Sequence, residues 1–282
     1  MANRVNWTCL LAAVLMLAGC GTADPRLAPP TSALVPASRS PARIIPAPTD
    51  RPAASAAQAS RSRQVDAIMR AFITPETPGG AVMVMSDGQF LHQAAYGLAD
   101  LEQQIPLTTA SIFHLGSVGK QFTAMAVMLL AEEGRLAYDD PIGTYLPALA
   151  RFGDDLTIRH LLTHTSGLPD YDDDESLMDT VLEQTEEPDN RHVLAALAAV
   201  GEPQFAPGDA FSYSNTGYDM LGSLVEAVSG QPLGVFLERR IFGPLQMGDT
   251  FSLPSQRRES EPALAHSYTQ EGRRVTAYDN DP

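Results

Sequence analysis

The sequence predicts an α+β domain, on three observations. Two apolar, strand-like runs flank an Asp87-Gly88 turn. A helix from Ser117 to Glu133 is apolar on almost every side. A second helix, after Asn215, carries one apolar face and stops at Gly230.

The elements follow in order. The chain opens on MANRVNWTCLLAAVLMLAGC: Arg4 gives a basic start, Thr8 to Ala18 an apolar core, and Ala18-Gly19-Cys20 a small-residue end. The apolar run is shorter than the ~20 residues a bilayer span needs, so residues 1–19 read as a secretory signal. A cysteine directly after Ala-Gly resembles the bacterial lipobox, which implies cleavage before Cys20 and lipid on Cys20. Cys9 then leaves with the signal and no disulfide is expected. Position 21 is glycine rather than the aspartate of an inner-membrane retention signal. The expectation is a lipid-anchored protein of the bacterial cell envelope, on the outer membrane and facing the periplasm.

From Cys20 to residue 60, proline, alanine and serine dominate and no apolar period persists. Such a segment is a tether that reaches roughly 35 Å as a coil and about 120 Å if polyproline-like. Residues 61–282 form the folded part, enough for one domain or two intimate subdomains. The net charge of −15 excludes nucleic acid and charge-driven binding to anionic lipid.

Val65, Ile68, Met69 and Phe72 recur at helical spacing and predict a first helix with those residues on its apolar face. The run Ala81 to Met85, the Asp87-Gly88 pair and the following FLHQAAYG predict a hairpin. Phe113 to Gly116 is a short approach to the Ser117–Glu133 helix. Val118, Phe122, Met125 and Leu129 form one stripe there, Ala124, Ala126 and Met128 extend it, and Gly134 ends the helix. A helix apolar all round is expected to be buried and central.

Lys120, in that helix, is the only lysine in the chain; every other Lys or Arg is arginine. Arginine stays protonated, with a pKa of about 12.5 or above, whereas lysine starts near 10.4 and can be shifted by its surroundings. Keeping one lysine points to a site where deprotonation matters. Ser117 precedes it by one turn, on roughly the same face, at a helix start where free N–H groups and the dipole converge. Lys120 is expected to approach neutrality beside polar or positive neighbours in a dry cleft.

Farther on, FAPGDAFSYSNTGYDMLGSLVEAVSG holds a Pro207-Gly208 turn and then an extended segment. There Tyr213 and Asn215 point to one side. The helix that follows sets Met220, Leu221, Leu224, Val225 and Val228 on one face. Read alone, Ser117 is equally a helix N-cap, Tyr213 a packing aromatic and Asn215 the N-cap of the second helix.

Other motifs fall away. Gly116-Ser117-Val118-Gly119-Lys120 lacks phosphate-loop spacing, and Gln121 stands where a magnesium-binding Ser or Thr belongs. His160 and His164 are four apart, but Leu161 replaces the glutamate of a zinc protease helix, so both read as structural. The acidic run Asp170 to Glu175 lacks the glycine and distal glutamate of a calcium loop and reads as a solvated loop. No Gly-x-Ser-x-Gly elbow is present, and Ser166 reads as loop structure. No metal or cofactor is expected.

With Ser117-x-x-Lys120 and Tyr213-x-Asn215 together, the chain resembles the serine β-lactamase and penicillin-binding protein superfamily. It is most similar to the class C type and its esterase and D-aminopeptidase relatives. HTSGLP, FAPGDAFSYSNTGYDMLG and IFGPLQMGDT are also similar to stretches of this family, over about residues 65 to 255. The resemblance implies an α/β sandwich with a helical subdomain, of the β-lactamase/transpeptidase-like fold. It implies that Ser117 is the acylated nucleophile and that Lys120 takes its proton. Tyr213 would exchange protons with Ser117 and the leaving group, while Asn215 would bind the substrate amide and steady Lys120. The substrate would be a small amide, ester, β-lactam or peptidoglycan-like molecule.

The family's third motif, Lys-Thr-Gly or His-x-Gly on a late strand, does not occur between Phe251 and Pro282. The expectation is a chain lacking its C-terminal part, with an incomplete antiparallel sheet that retains only the early strand pair, and with impaired turnover, since that strand supplies an oxyanion-hole donor. The rival readings are a non-catalytic peptidoglycan- or partner-binding lipoprotein and an inactive gene fragment.

Overall fold

A computed structural model describes residues 56–185, 188–252, 263–268 and 274–275. The proposed signal, Cys20 and most of the proposed tether lie outside these residues; residues 56–60, expected as the end of the tether, instead form the first turn of a helix, because the Ala- and Ser-rich stretch there has no proline to stop it. The chain divides into two compact units, one ending at Thr109 and the other beginning at Ala110.

In the first unit, α1 (Ala56–Phe72) precedes β1 (Gly80–Ser86) and β2 (Gln89–Tyr96), then the short β3 (Leu98–Asp100) and β4 (Ile105–Pro106). β1 and β2 pair antiparallel from Ser86 opposite Gln89 to Gly80 opposite Tyr96, with a bulge at Val84/Met85. The predicted turn is there: Asp87 and Gly88 have φ of 50° and 72°. Two positive φ values match the right-handed twist of the flanking strands.

The face α1 turns toward β2 differs from the expected one. Val65 and Met69 are half-buried, but Ile68 and Phe72 are exposed. Polar contacts join the helix to the strand. Ser62 Oγ lies 2.9 Å from His92 Nδ1, and Tyr96 OH donates to Asp66 Oδ1 at 2.8 Å. Burial, reinforced by Asp66, pushes the Tyr96 phenol up to about 12.

The second unit is mostly helical. A 3₁₀ turn (Gly116–Gly119) leads into α2 (Lys120–Glu132); α3 (Ile158–Leu162), α4 (Glu175–Leu182), α5 (Asn190–Val200), α6 (Asn215–Ser229) and α7 (Leu233–Leu237) follow, and a π turn (Glu238–Phe242) closes the helical run. α6 packs against α2, α3, α5 and α7. Its Met220, Leu221, Leu224 and Val225 are wholly buried, as the periodicity predicts, and Gly230 ends it with φ of 71°. Each such side chain contributes roughly 1.5–3 kcal/mol by leaving water.

α2 begins and ends near the predicted limits but is not covered all round. Ala126, Val127 and Leu130 are fully buried, whereas Met125 and Met128 are 44% and 49% exposed. The expectation of an enclosed central helix therefore fails on one stripe. Sequence composition reports that a face is apolar, not that a partner covers it.

Besides the hairpin, the described residues hold the β3–β4 ladder and a late ladder, β5 (Ser267–Tyr268) with β6 (Arg274–Val275). The early pair is therefore not the only one, although every ladder has two strands. Among the described residues no single helix is long and apolar enough to cross a membrane.

Candidate active site

Three local structures build the site, all in the second unit. Ser117 lies in the 3₁₀ turn, one residue after Gly116, whose φ is 51°. Lys120 opens α2 itself. The predicted single helix is thus a 3₁₀ turn followed by an α-helix, and this change of pitch falls between the two residues. Tyr213 and Ser214 form the extended approach to α6; Ser214 has φ −140° and ψ 125°.

The N-cap of α6 is Ser214, whose Oγ accepts from Gly217 N at 2.9 Å. The alternative of Asn215 as cap is thereby set aside. Asn215 is the first helical residue, and its amide is free for other work.

The structure brings Ser117, Lys120, Tyr213 and Asn215 together. Tyr213 OH donates to Ser117 Oγ at 2.7 Å, and Lys120 Nζ donates to the same oxygen at 3.3 Å. Lys120 Nζ also donates to Asn215 Oδ1 at 2.5 Å. It lies 4.9 Å from the centre of the Tyr213 ring and 5.6 Å from that of Tyr218. Ser117 and Tyr213 are exposed and Lys120 is half-buried, so the site is open rather than dry. An oxygen that accepts from two polar hydrogens is prepared for the negative charge of an alkoxide.

The acidic run is not merely a solvated loop. Asp170 is buried, and its Oδ2 accepts from the backbone N–H of Asn215 and, at 3.1 Å, of Thr216. It thereby satisfies free donors at the start of α6. Its Oδ1 accepts from Asp172 N at 3.2 Å. Asp172 Oδ2 in turn accepts from Asn215 Nδ2 at 2.6 Å. Asp174 caps α4 through Leu177 N. The loop looks solvated in sequence because the α6 partners that bury Asp170 and engage Asp172 lie more than forty residues away.

The charged groups whose fields overlap that of Lys120 include two carboxylates. Burial, with Asp170 adding, raises the Asp172 carboxyl above its ordinary range, while Asn215 and Lys120 oppose. Burial pushes Asp219 up to about 7; Lys120 opposes this, and Asp170 and Asp172 add to it. Asp219 sits four residues after Asn215, one turn along α6. Sequence reasoning missed Asp170, Asp172 and Asp219. The spacing of Asp219 from Asn215 was the one local signal for any of them.

His160 and His164 both have structural partners, as expected. His160 Nδ1 meets Thr157 at the start of α3. His164 Nδ1 accepts from Ser214 N at 3.1 Å, and its ring stacks on Tyr213 with centres 4.6 Å apart. Burial, then the field of Lys120, holds the His164 imidazole below its usual range, while Asp170 opposes. Ser166 is buried and its Oγ accepts from Leu168 N, a loop role. Gly167, between them, has φ of 71°, and a Cβ there would lie 2.0 Å from Phe205 O. Only glycine lets the two loops touch so closely. Among the described residues no group of three or more His, Cys, Asp or Glu is placed to hold a metal ion.

Comparison with known proteins gives a consistent result. The family model described as Beta-lactamase matches residues 65–282. Penicillin-binding protein 4* of Bacillus subtilis (strain 168) is 36% identical over 172 residues, 61% of this chain and 37% of that protein. Esterase EstB of Burkholderia gladioli is 35% identical over 211 residues, 68% of this chain and 51% of that protein. The octameric penicillin-binding protein homologue from Pyrococcus abyssi superposes with a TM-score of 0.61 at 30% identity, covering 77% of this chain and 50% of that one. The chain spans between 37% and 51% of the length of these relatives.

Proposed function

The chain belongs to the Beta-lactamase family, and on that premise we propose that it is a serine hydrolase acting through an acyl-enzyme on an amide, ester or β-lactam carbonyl. The observation that carries this is the convergence of Tyr213 OH at 2.7 Å and Lys120 Nζ at 3.3 Å on Ser117 Oγ. The names of its relatives, a penicillin-binding protein and an esterase, support the same substrate range.

The chemistry divides among four side chains. Lys120, as the free amine, takes the Ser117 proton while Oγ bonds to the substrate carbonyl carbon. The resulting oxyanion collapses and the bond to the leaving group breaks. Tyr213 gives its phenolic proton to that group and recovers one from Lys120, whose Nζ converges with Tyr213 OH on Ser117 Oγ. Water then releases the acyl group by the reverse proton path. Asn215 holds Lys120 in line through Oδ1.

The test is labelling of the full chain with a fluorescent penicillin and a p-nitrophenyl ester, read by intact mass. We expect one covalent adduct, absent in Ser117→Ala. No adduct with either donor would refute the hydrolase. Reversible penicillin binding untouched by Ser117→Ala would instead favour a non-catalytic binder.

We further propose that the enzyme is held at the cell envelope by lipid on Cys20, with the residues between Cys20 and α1 as tether, facing peptidoglycan-like substrates. The sequence around Cys20 supports this. Metabolic labelling with radioactive palmitate should mark the chain and fail in Cys20→Ala; equal labelling of both would refute the anchor.

A further inference from the structure

Tyr213 is exposed at 45% of its surface, yet it must sit within hydrogen-bond reach of Ser117. One residue meets it at three points. His164 O accepts from the backbone N–H of Ser212, the residue before Tyr213, at 2.9 Å. His164 Nδ1 accepts from the N–H of Ser214, the residue after, at 3.1 Å. The two rings stack, 4.6 Å apart and tilted by 27°. The backbone of His164 is itself left-handed, with φ of 57°, a conformation that Asn, Asp and His adopt more readily than most residues.

An imidazole that accepts at Nδ1 is neutral and carries its proton on Nε2. Protonation would put a hydrogen on Nδ1 facing the Ser214 N–H. The bond would be lost, two donors would confront each other, and the ring would have to turn away from Tyr213. The groups around the imidazole are Tyr213, Tyr218 at 5.1 Å, the edge of Phe211 at 5.9 Å, Lys120 on α2 and Asp170 on the adjoining loop. Burial and Lys120 favour the neutral ring, and Asp170 opposes them.

We propose that His164 is the positioning residue for Tyr213, and that a proton on its Nδ1 withdraws Tyr213 from Ser117. The inference rests on the reading of Ser117 and Tyr213 as the reacting pair, and it makes the acid limb of acylation a property of His164.

Two measurements test it. The first needs no turnover: NMR of the full chain with labelled tyrosine rings and serine amides, titrated from acid to neutral pH. Tyr213 and Ser214 signals should move with the same midpoint as His164, and stay still in His164→Asn. Titration of His164 without any response at Tyr213 and Ser214 would overturn the proposal. The second is the pH profile of ester acylation. His164→Asn keeps a short acceptor and tolerates the left-handed backbone, but does not titrate. It should flatten the acid limb while lowering the plateau less than about tenfold. His164→Phe keeps a ring without the acceptor and should lower kcat roughly 10- to 100-fold with KM changed less than about threefold, the pattern of a misplaced catalytic group. A wild-type acid limb in His164→Asn would also overturn it. If the wild-type chain forms no adduct at all, the hydrolase reading fails and the NMR result alone decides on His164.

Discussion

Asp172 Oδ2 accepts a hydrogen bond from Asn215 Nδ2 at 2.6 Å, and this fixes which end of the Asn215 amide faces Lys120. With Nδ2 turned to a carboxylate, Oδ1 is left for the Lys120 ammonium or amine, at 2.5 Å. Were the amide reversed, two donors would meet at Lys120 and an acceptor would meet Asp172. The acidic loop thus orients the lysine through one intermediate side chain.

Removing that anchor should loosen the lysine without abolishing the chemistry. Asp172→Ala is expected to lower the acylation rate about tenfold, mostly in kcat. Asp172→Asn, whose Oδ1 still accepts, should recover most of the loss. Stopped-flow labelling with a fluorescent penicillin measures both; equal defects in the two variants would contradict an orienting role.

Asp219 makes stability depend on pH. Its carboxyl is raised from 3.8 to about 7, so the folded state holds a proton that the unfolded chain gives up earlier. The sign is that of a raised acid: the penalty is absent below about pH 4 and grows as pH rises to about 7. Asp219→Asn should therefore be near neutral for stability at about pH 3 and stabilising by up to about 4 kcal/mol at about pH 8. Urea melts at the two pH values decide it; a pH-independent difference would exclude this origin.

What could be read from the sequence was local. The Asp87-Gly88 turn carries its own backbone requirement. The Ser117–Lys120 spacing and the Tyr213–Asn215 alternation each place two side chains on one face. Asp170, Asp172 and His164 act across gaps of about fifty residues, so nothing in their immediate neighbours distinguishes them from a hydrated acidic stretch and a packed histidine. α2 shows the same limit from the other side. Its apolar composition was legible, but whether Met125 and Met128 are covered depends on what packs beside them.

Lys120→Arg tests the proton transfer directly. Arginine stays charged and cannot take the Ser117 proton, and its longer fork does not fit the 2.5 Å contact with Asn215 Oδ1. Acylation should fall by at least about a thousandfold. Lys120 is half-buried at the start of α2, so the fold should tolerate the change, with Tm moved by less than about 4 °C. Acylation within tenfold of wild type would contradict the role given to the lysine.

Asp170 tests how far the site depends on the end of one helix. Its Oδ2 serves the N–H groups of both Asn215 and Thr216, and Thr216 is completely buried. Asp170→Ala would strand two donors at the start of α6, since the capping Ser214 Oγ serves a different N–H, that of Gly217. Unsatisfied buried donors and a lost helix-end anion together should cost about 2–4 kcal/mol. Asp170→Asn keeps an acceptor oxygen but not its charge, and should cost roughly half as much. Since α6 also carries Asn215, both variants should slow acylation in proportion to the loss of order at that helix start. Denaturant melts alongside penicillin labelling check the pairing: an Asp170→Ala chain as stable as wild type would show that the buried carboxylate does not hold the helix.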